Sequence, residues 1–315
     1  MTRPNRRSRS LRAPFVAAIV LATLARAAPA AAQACCGGGS LVSPTRLAPN
    51  EDVALGLQAR PRDVLGSFGS SGRYVSASTE QDLEQDLVAS LRLTGRGQVG
   101  VVVPYLETRR LESGVGQWGS GLGDVALSAR YDFVYASEAT HWPGIALLGG
   151  VLIPMGKATG EGTNPSSTDA TGTGTFNATI GLDLAKAHGP FYAALDAWIT
   201  TCFDLTVTPP GGAAMTMTTS FPLQWTFLAL GGYVFDGGAA LALYLDVLER
   251  GDASLDGVRQ PGTVLRLTTA GVSGVLPFAE VWRLQGTVFG DVPISSFGRN
   301  EQGGIGLSAA LLRLW

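Results

Sequence analysis

The chain has 315 residues, 45% of them hydrophobic and only 15% charged, against about 25% charged in a typical soluble domain. Glycine is abundant at 42 residues, and Lys157 and Lys186 are the only lysines. The length suits one large all-β domain or two ordinary ones, and so little charge without any long apolar run is unusual for a soluble protein.

The N-terminus reads as an export signal. "MTRPNRRSRSLR" is a basic stretch, "APFVAAIVLATLA" an apolar one of the length such signals use, and "APAAAQA" offers small-x-small cleavage sites. Arg26 leaves the apolar stretch too short for a membrane-spanning helix. Residues 1–34 are therefore assigned to a signal peptide, 35–51 to a flexible periplasmic N-terminus and 52–315 to the folded domain. Cleavage removes six arginines and no acid, leaving 17 basic against 25 acidic residues, a formal charge of −8. That balance argues against nucleic acid as a partner. Cys35, Cys36 and Cys202 are too few for a disulfide framework. "AQAC" ending at Cys35 departs from a lipoprotein box at Ala32 and Gln33, which leaves its lipidation open, and the adjacent Cys35-Cys36 pair lacks the ligand spacing of zinc sites.

From Val53 onward the dominant signal is alternation with period two, the mark of strands with one apolar and one polar face. Val53, Leu55, Leu57 and Ala59 oppose Ala54, Gly56, Gln58 and Arg60; Leu87–Leu93, Val125–Phe133, Phe176–Leu184, Phe191–Ile199, Leu241–Val247 and Trp282–Val288 repeat the pattern. Weaker cases lie near 98–109, 144–154, 221–235, 263–276 and 304–315. Twelve candidate strands result, most of about ten to fourteen residues. They exceed the usual globular strand and match or slightly exceed the 9–11 residues that cross a bilayer at a tilt.

Connections near 95–98, 136–143, 187–190, 236–238 and 277–280 are short. Those at 61–84, 110–120, 155–174, 205–220, 251–262 and 293–303 are long, and the two kinds alternate. Outer-membrane barrels place short turns in the periplasm and long loops outside. Tyr131, Phe133, Trp142, Phe191, Tyr233, Phe235, Phe278, Trp282 and Trp315 all adjoin the short turns or the C-terminus, as a periplasmic-side aromatic girdle would. A sheet in lipid must close, because unpaired backbone groups there are costly. The fold expected is all-β, a single closed antiparallel up-and-down transmembrane β-barrel of about 12 strands with a narrow bore.

Facing inward, the candidates for a pore lining are Arg60, Arg92, Asp124, Arg130, Asp132, Asp183, Asp196, Asp246, Arg266, Arg283 and Asp291. Buried charges need partners, so the same residues also read as salt bridges that stiffen the wall; a charge pattern that selects solutes is compatible with both. An enzyme is not indicated. His141 and His188 both fall in short turns with no serine at matching height, and a hydroxyl nucleophile needs an adjacent base. "GKATGEGT" (156–163) lacks the GK[ST] ending of a phosphate loop. No metal or cofactor site is read.

Three stretches, "SGLGDVALSARYDF" (Ser120–Phe133), "IALLGGVLIPMGKATGEGT" (Ile145–Thr163) and "GTGTFNATIGLDLAKAHGPFYAALDAWIT" (Gly172–Thr200), carry a family likeness. In them the chain resembles the outer-membrane transporter family of the meta-pathway of phenol degradation. The resemblance implies an outer-membrane channel for passive passage of small, often hydrophobic or aromatic molecules. The partners expected are outer-membrane lipid, the barrel-assembly machinery during insertion and a small-molecule solute. Trp315 fits the terminal aromatic of such barrels, whereas Arg313 stands where a lipid-facing apolar residue is usual, leaving the register of the last strand open. Two other readings compete: a non-conducting structural or adhesin-like barrel whose long loops bind partners, and a secreted soluble all-β binding protein.

Overall fold

The computed structural model describes residues 46–112, 115–136, 141–158, 161–164, 167–203, 205–207 and 217–315. The expected signal peptide at 1–34 and the cysteines at 35 and 36 lie outside the described residues. Seventeen strands follow in chain order: β1 Val53–Phe68, β2 Tyr74–Arg92, β3 Gly97–Glu112, β4 Val115–Leu122, β5 Val125–Val134, β6 Gly144–Ile153, β7 Asn177–His188, β8 Phe191–Cys202, β9 Leu205–Val207, β10 Met217–Ser220, β11 Gln224–Val234, β12 Ala240–Arg250, β13 Ser254–Leu255, β14 Val258–Arg259, β15 Leu265–Phe278, β16 Trp282–Asp291 and β17 Glu301–Leu314.

Thirteen of these form one antiparallel sheet, closed where β1 pairs with both β2 and β17. Strands β4 and β5 both pair with β3, one above the other, with a one-residue register slip at Gly123-Asp124. They act as one broken strand, so the wall has twelve staves. A closed sheet leaves no open edge, the condition for a sheet in hydrocarbon. The C-terminal strand is in unbroken register with β16 from Trp282↔Arg313 to Gly290↔Ile305, and Arg313 lies over the rings of Trp282 and Trp315 at 5.9 and 4.7 Å. The arginine in place of an apolar residue is thus accommodated by aromatic faces at the rim.

The alternation maps onto the two faces of the wall. On β5, Ala126, Ser128, Arg130 and Asp132 are buried while Leu127, Ala129, Tyr131 and Phe133 are exposed. On β8, Phe191 and Leu195 are about 60% exposed while Trp198 is 3% exposed. Large apolar side chains that turn away from the interior all around a closed sheet are what a lipid-facing surface requires.

Two of the six connections read as long loops are not loops. Strand β1 runs on to Phe68 and β2 starts at Tyr74, joined by a tight turn in which Gly69 donates to the Arg73 carbonyl (3.0 Å) and Gly72 has φ 77°. Strand β3 likewise reaches Glu112 and β4 begins at Val115. The extension escaped the sequence reading because the outward positions there turn polar: Asp63, Gln81, Gln85 and Arg109 are all exposed. Pro61 further disguises β1, with no N–H to give β17 and no partner there between Ala59 and Arg62. The remaining outer connections are long, and two of them supply a separate four-stranded sheet, β14-β13-β10-β9.

Candidate lumen and its charged lining

The inward face carries charge in clusters, each held by its own strands. At the periplasmic end Arg130, 7% exposed, donates to Asp132 at 2.8 Å and to Asp183 across the β5–β6–β7 register. Arg46, from the segment before β1, approaches the same two carboxylates at 3.6 and 4.0 Å. At the opposite end Asp291 accepts from Arg62 (3.0 Å), the Thr269 hydroxyl (2.6 Å) and the Gly304 amide (2.9 Å). Arg60 pairs with Glu84 at 3.1 Å, and Arg110 with Glu80 at 2.9 Å. These are partially or fully dehydrated pairs, strongly destabilising to break on one side only.

The remaining candidates do other work. The Arg92 guanidinium donates to the carbonyls of Leu47 (3.1 Å), Ala48 (2.6 Å) and Glu51 (2.8 Å), and Arg283 pairs with the Glu51 carboxylate. Leu47 is 2% exposed and packs with Ala54 and Leu314, while its amide donates to Gln98 at 3.1 Å. The segment expected to be a flexible N-terminus is held from Arg46 on, tied to the rim where β1 begins and β17 ends. Nothing in the composition of "RLAPNE" (46–51) announces this; its anchors come from strands up to 232 residues away. Asp124 sits at the β4–β5 break and accepts from Gly156 N (3.0 Å) and Thr173 N (2.6 Å), which folds the loop after β6 back onto the wall. Arg266 is a correction. Its register partner is Glu249, on the face of exposed Leu241, Leu243 and Leu245, and the two pair at 2.9 Å. It faces outward: Thr268-Thr269 carry no apolar marker, so the alternation of β15 (Leu265–Phe278) is silent on which parity meets lipid at this end.

Asp196 and Asp246 stand apart. Each has a carboxylate oxygen enclosed without a hydrogen-bond partner, and neither has a basic group at ion-pair distance among the described residues, a state shared on the other side of the wall by Asp86 of β2. Beside them lies an apolar cluster that the polar parity had concealed: Leu148, Trp198, Leu228 and Tyr244, with Leu230 and Phe289 packed against it. Its rings lie flat because glycines face them across the sheet. A Cβ on Gly181, the register partner of Trp198, would come within 2.3 Å of the indole; one on Gly271, opposite Tyr244, would come within 2.5 Å of the phenol ring. The alternation of Gly181 with Asp183 and of Trp198 with Asp196 was the signal available in sequence.

The nine girdle aromatics lie at or near the ends of strands or in turns at the end where β1 begins and β17 finishes. Phe191 and Tyr233 are register partners with ring centroids 5.2 Å apart, and Tyr233–Phe235 and Tyr131–Phe133 stack edge-on at 5.0 and 5.1 Å. Trp142 is exposed, as are Phe278 and Trp315. At the other end, Phe176 meets Phe203 at 5.3 Å, with Trp225 and Trp118 also exposed. This second level was not read from the sequence.

The outer loops are braced by carboxylates. Asp169 accepts from Lys157 (2.7 Å) and from the Thr163 and Asn164 amides (3.0 Å each), and these hold its carboxyl well below the usual range. Asp252 is lowered by Arg259, which donates at 2.7 Å, with the Gly262 and Thr263 amides assisting.

No protein-family model matches the chain, and no curated protein matches it. Among solved structures it is similar to the COG4313 outer membrane channel from Pseudomonas putida F1, with a TM-score of 0.64 and 15% identity over 88% of this chain and 99% of that one. Weaker likenesses include the CymD monoaromatic hydrocarbon channel (TM-score 0.45, 10% identity, 93% of this chain and 98% of that one). The translocator domain of the autotransporter NalP from Neisseria meningitidis is another (0.46, 8%, 84% and 89%). At this identity the first likeness establishes the fold, a twelve-staved outer-membrane-type barrel.

Proposed function

We propose that the chain is an outer-membrane channel for passive passage of small molecules, exported by the signal peptide at 1–34 and inserted by the barrel-assembly machinery. The observation that carries this is the division of the wall: apolar side chains point outward all around a closed sheet, and ion pairs together with the carboxylates Asp86, Asp196 and Asp246, unpaired among the described residues, line its interior. Charge inside and grease outside is the reverse of a soluble protein and suits a conducting barrel. Asp132, Asp183, Asp196, Asp246 and Asp291 are the proposed lining; Arg92, Arg283 and Asp124 are anchors of segments that border it.

Planar-bilayer conductance and liposome swelling with solutes of graded size and polarity test the reading, alongside heat-modifiable migration on gels. A folded, membrane-inserted barrel that passes no current at any voltage and admits no solute overturns it. That result would favour the non-conducting reading, to which the four-stranded sheet shared by two outer loops lends its support.

A further inference from the structure

The inward carboxylates are not scattered. Following direct register partners from strand to strand, Asp132 on β5 faces Ala146, then Asp183, Asp196, Leu228, Asp246, Thr269 and Asp291 on β16. Five carboxylates thus occupy one unbroken cross-strand row over eight staves. Rows of register partners run perpendicular to strands, and barrel strands tilt by about 35–45°. The row therefore climbs the lumen as a spiral, rising roughly 20 Å over seven strand spacings of about 4.8 Å. Its sense is visible in the strand limits: Asp132 lies near the periplasmic end of β5 and Asp291 is the last residue of β16 at the opposite end.

Compensation along the spiral is uneven. The lower steps share Arg130 and Arg46, and the top step has Arg62. The two middle steps, Asp196 and Asp246, have no ion pair among the described residues and each keeps an unpartnered enclosed oxygen. Asp183, in direct register with Asp196 and 5% exposed, also has one oxygen unpartnered. An enclosed carboxylate oxygen without a partner is costly, and Asp183, Asp196 and Asp246 gather three of them along four neighbouring staves, a concentration of negative charge that favours a cation. An aromatic ring stands two residues from each middle step on the same strand and face: Trp198 beside Asp196, Tyr244 beside Asp246. The two rings pack around Leu228, the residue between the two steps. The Trp198 Nε1–H, on a side chain only 3% exposed, likewise has no acceptor. Aromatic faces attract cations, ammonium groups on organic solutes in particular.

Resting on the channel reading above, we infer that Asp196 and Asp246, with Trp198 and Tyr244, form a binding station for a small organic ammonium solute. Its charge docks on a carboxylate while its apolar body lies against the rings. At about 10 Å, two strand spacings, the two steps are close enough for such a solute to pass from one to the next.

The test titrates the detergent-folded barrel with phenethylammonium chloride and with 2-phenylethanol, its neutral counterpart, by calorimetry, with folding scored by the gel shift on heating. The ammonium should bind at least about tenfold tighter than the alcohol. Asp196→Asn/Asp246→Asn should abolish that advantage, and Trp198→Leu should weaken ammonium binding several-fold while keeping part of it. Should the double variant not fold, Asp196→Asn alone must reduce the advantage. Equal affinity for the two probes, or an advantage that survives removal of both carboxylates, overturns the inference. Potassium currents read in parallel separate it from the channel reading: conduction without ammonium preference sinks the station alone, and ammonium binding without conduction sinks the channel alone.

Discussion

The two halves of the wall solve the problem of buried charge differently. Along β1–β3 each inward arginine meets a carboxylate or a carbonyl on a neighbouring element: Arg60 with Glu84, Arg110 with Glu80, Arg92 with the segment before β1. The strands there are long and joined by tight turns, and they leave the apolar layer with polar groups on both faces. Along β5–β16 the strands are mostly ten to twelve residues long and the outer connections long. Inward carboxylates outnumber arginines, so compensation stops halfway up. Among the described residues the first side leaves one inward carboxylate, Asp86, with an unpartnered enclosed oxygen, and the second leaves three, Asp183, Asp196 and Asp246; the difference says where a solute would be held.

Breaking the brace should be the costliest change. Arg130 serves two carboxylates; Arg130→Met leaves both buried with only the longer contacts to Arg46, at a cost of about 3–5 kcal/mol. Urea titration of the folded band should show that loss, whereas Asp196→Asn, which removes a charge with no partner, should leave stability unchanged or raise it. Equal losses would erase the distinction between the two regions.

The outer faces differ as well. Leu195, 59% exposed between Leu184 and Ala229, sits in the apolar belt of β7, β8 and β11. Leu195→Arg should cost about 2–4 kcal/mol, the price of a charge near mid-bilayer. Gln85→Arg, on a β2 face that already bears polar groups and hydrogen-bonds to Glu107 at 2.9 Å, should cost far less. At the girdle, Tyr233→Ala removes two edge-on contacts and should cost about 1 kcal/mol. The same refolding assay ranks all three.

The sequence announced the staves because every second residue in the apolar belt had to satisfy lipid, a demand met from Leu127 to Leu311 and relaxed only toward the strand ends, as at Glu249 and Arg266. It was less informative where that demand lapses. Beyond Pro61 the outward residues turn polar, and the outer ends of β1–β3, within 61–84 and 110–120, read as loop. In the lumen, Trp198 and Tyr244 were visible only as members of the polar parity, since a ring that faces inward satisfies the same alternation as a threonine. The carboxylate spiral is a property of register, which period two leaves free to slide in steps of two. It needs the partners of all eight staves before Asp132 and Asp291 belong to one feature. The anchoring of Arg46–Glu51 depends on Arg92 and Arg283, brought together only by closure.

The smallest effect lies in the long loops that only the β5–β16 half carries. Asp169 binds the Thr163 and Asn164 amides and Lys157, and its carboxyl is held below the ordinary value of about 3.9. A depressed carboxyl stabilises above its unfolded value and loses that contribution as pH falls through the folded one. The loop between β6 and β7 should therefore stay closed to pepsin at about pH 4.5 and become cleavable only as the pH drops below the usual aspartate range. Asp169→Asn, which keeps the shape and removes the charge, should open the same loop at neutral pH to a protease such as thermolysin, with the barrel's folded band unmoved. Tight turns on β1–β3 have no such carboxylate-braced loop to lose. Cleavage there under the same conditions would mean that the extended strands fray as a unit and that the contrast between the two halves lies in their charges alone.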